Sequence, residues 1–126
     1  MRRHPMARFR YIVHDVPAAV AFYAEMLGFT VEQQFGPAMA ILTRDDVTLW
    51  LAGPPASASR PMPDGAQPEP GGWNRIVLTF DDLETTVAEL RAKGVTFRND
   101  ILAGPGGRQI LCEDPCGNVV ELFEPA

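Results

Sequence analysis

The sequence predicts an α+β fold made of two copies of one unit: a strand, a helix and three further strands (βαβββ). Two observations carry this. Apolar residues switch between a period of two and a period near 3.6 in that order, and the same order restarts after a Pro- and Gly-rich stretch. The 126 residues, 46% of them hydrophobic, suit one domain that buries its core without disulfides or structural metal. Its first module runs over about 7–53, a connection over 54–72, and the second module over about 73–126.

In the first copy, FRYIV (9–13) reads as a strand. Asp15 then caps a helix whose apolar stripe holds Val16, Val20, Tyr23 and Leu27. Pro17 sits in the first turn, where its missing N–H costs nothing, and Gly28 closes the far end. Strands at 29–35, 39–43 and 47–52 follow, separated by the turn residues GP and RDD. Residues 53–72 carry no periodicity and read as an exposed connection. The second copy repeats the plan: RIVLTF (75–80), a helix begun by Asp82 with Leu83, Val87 and Leu90 on one face, Gly94 as its stop, and strands at 95–100, 108–113 and 119–124. A shift of 67 residues lays Asp82 on Asp15, Val87 on Val20, Leu90 on Tyr23 and Arg75 on Arg8. Matching VTLWLAG to VVELFEP lays Glu121 on Leu49 and Phe123 on Leu51.

Charge and composition narrow the partners. A net charge of -5 opposes the electrostatic attraction that dominates nucleic-acid binding. No run approaches the roughly 20 apolar residues that span a bilayer, and MRRHPMARFR lacks the apolar centre of a signal peptide. A cytoplasmic protein without nucleic-acid or membrane partners is expected. Cys112 and Cys116 could be half of a zinc site, but no second pair or nearby histidines complete it, so both are expected as reduced, structural thiols.

Three segments, VHDVPAAVAFYAEMLGF (13–29), VLTFDDLETTVAELRAKGV (77–95) and EDPCGNVVELFEP (113–125), resemble the glyoxalase, bleomycin-resistance and dioxygenase superfamily, also called vicinal oxygen chelate proteins. The resemblance implies two βαβββ modules whose mixed sheets curl into a cup, commonly in a homodimer. In the enzymes of that family a histidine on a module's first strand and a glutamate on its last strand hold a divalent metal. The corresponding places here are Arg8, Leu49, Arg75 and Glu121. Guanidinium offers only donors and leucine offers nothing, so Glu121 alone remains, too few ligands for zinc, nickel or iron. No metal or other cofactor is expected.

Glu121 is the best candidate for any catalytic role, and the expected ligand wall is Arg8, Leu49, Leu51, Arg75, Glu121 and Phe123. The plain reading of Glu121 is an ion pair with Arg8 or Arg75, because buried charges are usually paired. The functional reading uses the surplus arginine, whose fork suits a carboxylate, phosphate or phenolate. Alternation places Trp50 under the first helix while Leu49 and Leu51 look into the cup. Trp73, Phe80 and Phe97 could stack on a planar ligand, but most such rings are expected simply to fill the core. His14 shares strand parity with Arg8 and could act as acid, base or ligand, or could simply make a local hydrogen bond beside the helix cap. His4 belongs to a loose N-terminus. A metal-free binder of a small, anionic or aromatic molecule is therefore expected. The alternatives are a metal-dependent lyase, isomerase or dioxygenase of the same superfamily, and a scaffold with a filled cup.

Overall fold

The computed structural model describes residues 7–126, so His4 lies outside the described residues. Chain contacts divide it into two compact units, Met1–Pro70 and Gly71–Ala126. The architecture is α+β with two mixed sheets, as the sequence predicts.

In the first unit β1 (Arg8–Ile12) leads to α1 (Val16–Ala21), which continues as a π-helical turn over Phe22–Met26. Asp15 caps the helix by accepting from the Ala18 N–H at 3.1 Å. Gly28, at φ 75, and the Phe29 N–H, which reaches back to the Tyr23 carbonyl at 3.0 Å, turn the chain out of it. Then come β2 (Thr30–Phe35), β3 (Met39–Arg44) and β4 (Val47–Ala52). The sheet order is β1-β4-β3-β2, with β1 parallel to β4 and the other pairs antiparallel. The β2 pairing breaks register between Val31 and Gln33, a bulge on the outer strand.

Pairing settles which residues share a face. Phe9 lies beside Leu49 and Tyr11 beside Leu51, with Leu42 and Ala40 across from the two leucines. The Tyr11 ring meets Tyr23 edge-on, so this is the face packed by the helix. Leu42, Leu49, Leu51 and Ala40 are fully buried there together with Val16, Ala19 and Leu27. The opposite face carries Arg8, Arg10, Thr48 and Trp50. This reverses the expectation for Trp50, Leu49 and Leu51: the leucines fill the core, and the tryptophan looks away from the helix.

The connection is more organised than its composition suggests. Ser57–Ser59 forms a 3₁₀ turn, and the buried Ser59 hydroxyl donates to the Gly53 carbonyl at 2.8 Å. A Cβ at Gly53 would overlap the Pro37 carbonyl and the Val16 side chain, so only glycine fits where the connection leaves β4.

The second unit holds β5 (Ile76–Thr79), α2 (Leu83–Ala92), β6 (Thr96–Phe97), β7 (Leu102–Gly104), β8 (Gly107–Glu113) and β9 (Val119–Pro125). Its order is β5-β9-β8-β6, with β7 also on β8. The strand expected at 95–100 is thus only two residues long, and an unexpected strand follows it. The cause is Asn99: its Oδ1 accepts from the Leu111 N–H at 2.9 Å, so a side chain takes a place in the ladder and the backbone leaves. Asp82 caps α2 as expected, accepting from the Thr85 N–H at 3.1 Å and its hydroxyl at 2.7 Å. Ile76, Leu78, Ile110, Cys112, Val120 and Leu122 form the buried side, with Leu83, Val87 and Leu90 from α2. The other face carries Val77, Gln109, Leu111, Glu121 and Phe123.

Candidate functional site

On the helix-free face of the second unit, Glu121 sits in mid-strand with only 7% of its surface exposed. A buried carboxylate must be compensated. Arg75, just ahead of β5, supplies the charge: its Nε and Nη2 both donate to Oε1, at 3.0 and 2.9 Å. Gln109, with its amide oriented so that both ends are satisfied, donates to Oε2 at 2.8 Å. Both carboxylate oxygens are therefore engaged. The Arg75 Nη1 also donates to the Trp73 carbonyl at 3.2 Å. Beyond it Arg98 donates through Nε to Glu113 at 2.7 Å and lies 4.5 Å from the centre of the Trp73 ring, which is 66% exposed. Phe123 is half-buried on the Glu121 face, where the sequence reading puts it.

The first unit presents different chemistry at the matching place. Val77 pairs with Glu121 as Arg10 pairs with Trp50, and the shift of 67 residues lays Val77 on Arg10. The counterpart of Glu121 is therefore Trp50, not Leu49; the motif match between the last strands is one residue out of phase. Arg8 and Arg10 place their guanidinium carbons 5.5 and 4.9 Å from the centre of the Trp50 ring. The Trp50 Nε1–H is buried without a hydrogen-bond partner among the described residues. Arg10 forms no ion pair with any described residue.

Leu49 and Leu51 drop out of the expected ligand wall, since both are fully buried on the helix side. Arg75, Glu121 and Phe123 share one face of the second unit, and Arg8 lies on the helix-free face of the first. His14 is exposed just past β1 and lines two cavities there. Phe80 and Phe97 are half-buried, Phe97 beneath the Arg91 guanidinium. Arg10, Gln109 and Arg98 were missed by the sequence reading. Arg10 had a signal, since it repeats Arg8 two residues on and so shares its face; the other two had none. Burial, aided by the nearby Asp114 charge, pushes the Cys112 thiol up to about 12. Asp114 accepts from the Cys116 and Asn118 N–H groups at 2.9 Å, an Asx turn that fixes the loop before β9.

Residues 5–122 match the model of the Glyoxalase/Bleomycin resistance protein/Dioxygenase superfamily, and the chain belongs to that superfamily. Among solved structures it is similar to TnmS3, an antibiotic binding protein from Streptomyces sp. CB03234, at 28% identity and a TM-score of 0.75, covering 100% of this chain and 99% of that one. A member of the superfamily from Sphaerobacter thermophilus also shares 28% identity with a TM-score of 0.75, over 96% and 98% of the two chains. Lactoylglutathione lyase from Agrobacterium tumefaciens, at 20% identity and a TM-score of 0.73 over 98% and 96%, shares the fold. No curated protein matches.

The metal that the family's enzymes use does not fit these residues. Arg8, Trp50 and Arg75 offer no lone pair to a cation, and both Glu121 oxygens are held. Among the described residues no group of three or more His, Cys, Asp or Glu side chains is placed to hold a metal ion.

Proposed function

We propose that the protein binds a small anionic or aromatic molecule without a metal ion, as a homodimer in the cytoplasm. The observation that carries this reading is Glu121, whose two oxygens are engaged by Arg75 and Gln109. In the first unit Arg10, which forms no ion pair with any described residue, leaves positive charge beside Trp50 for a ligand. Arg10 offers donors only, over an indole face, which suits an aromatic carboxylate, phenolate or phosphate. The similarity to an antibiotic binding protein over the full length supports a binding role.

The test combines metal loading with ligand titration. Protein incubated with excess nickel, iron, zinc and manganese and then desalted is expected to retain far less than one metal per chain. Calorimetric titration with 2-naphthoate is expected to give the same affinity before and after EDTA, and a large loss in Arg10→Gln. Near-stoichiometric metal that Glu121→Gln removes would overturn the reading. Sedimentation of the purified protein checks the dimer.

A further inference from the structure

The geometry points to a second ligand site in the first unit, a cavity at the end of β1 that takes a small organic cation such as a primary ammonium group on an apolar body. The cavity holds about 190 Å³, below the range of pockets that enclose drug-sized molecules, so it fits a fragment-sized ligand. Ile12, Pro54 and Pro68 give it apolar walls, and His14, Ser59, Gln67 and Glu69 give it polar ones.

The hydrogen-bond ledger of those polar walls selects the ligand. The Ser59 hydroxyl proton is committed to the Gly53 carbonyl at 2.8 Å, and the Gln67 amide donates to the Ser59 carbonyl at 2.9 Å. The Val13 N–H is committed to the Ala52 carbonyl at 2.9 Å. Besides the His14 ring and the second Gln67 N–H, what remains is acceptors: a lone pair on Ser59 Oγ, the Gln67 Oε1 and the Glu69 carboxylate. Glu69 forms no ion pair or hydrogen bond with any described residue. An ammonium group satisfies these acceptors, an anion would face Glu69, and a bare divalent metal would find only one carboxylate to balance its charge.

The cavity adjoins the helix-free face, where Ile12 follows Arg10 along β1, so its test separates the two sites by the charge of the ligand. In a ¹H–¹⁵N NMR titration, benzylammonium is expected to shift the amides of Val13, Ser59, Gln67 and Glu69, whereas benzoate is not. Glu69→Gln, an exposed substitution that keeps the shape, is expected to weaken benzylammonium about tenfold and to leave benzyl alcohol unchanged. Arg10→Gln is expected to leave benzylammonium binding as it is. Shifts scattered over surface carboxylates, equal binding of benzoate, or full affinity in Glu69→Gln would each overturn the proposal.

Discussion

Glu121 shows how much one side chain depends on its neighbours. Its side chain is 10% exposed and that of Arg75 31%, so the ion pair is only partly screened. Arg75→Met would strand the carboxylate and is expected to cost about 1–3 kcal/mol in urea unfolding. The double variant with Glu121→Met is expected to cost less than that single change, because no charge is left unpaired. The two cysteines should differ as sharply. Cys112 is buried with its thiol pushed up to about 12, and Cys116 is half-exposed. A thiol reagent at pH 8 is expected to modify one cysteine per folded chain and both in denaturant. The Arg75–Glu121 pair is legible in the sequence as opposite charges on adjacent strands. The place of Trp50 is not, because strand parity is binary: matching the last strands one residue out of phase turns every side chain to the wrong face.

At the scale of elements, α2 is tied down at its first turn by three groups. Asp82 holds Thr85, and Glu124 on β9 accepts from the Leu83 N–H at 2.8 Å while pairing with Arg108 at 3.2 Å. Asp82→Ala is expected to lower stability, read as a drop of several degrees in Tm. The Leu83 N–H, and then Arg108, hold the Glu124 carboxyl below its ordinary value, and hydrogen bonds from Thr85 do the same for Asp82. A folded-state value lower than the unfolded one stabilises above the unfolded value, near pH 4, and the contribution disappears as pH falls further. Urea midpoints measured from pH 6 to pH 3 should therefore fall more steeply for the native protein than for Glu124→Gln. Both helices, with their caps, are readable from spacing alone, since Asp15 and Asp82 precede apolar stripes of period 3.6. The split between β6 and β7 is not, because it turns on one side-chain acceptor, Asn99, taking the place of a backbone carbonyl.

For the whole molecule, the doubled βαβββ order and the superfamily are legible over nearly the full sequence, since they rest on long periodic segments and turn residues. The ligand is not, because it depends on which side chains share a face and which donors are already spent. A chain of net charge -5 that gathers Arg8 and Arg10 over one indole should attract anions locally. Binding of 2-naphthoate is expected to weaken as salt rises from 0.05 to 0.5 M, while a neutral naphthalene is expected to be indifferent. The bulge in β2 has a consequence of another kind. All six residues of that outer strand are exposed, Phe35 and Val31 among them, and such an edge is a template on which identical chains can stack. The break between Val31 and Gln33 and the charge of Glu32 deny a neighbour a straight row of partners. Deleting Glu32 would straighten the row, and the protein would then be expected to polymerise on concentrated storage, with filaments rising in thioflavin fluorescence where the parent stays clear.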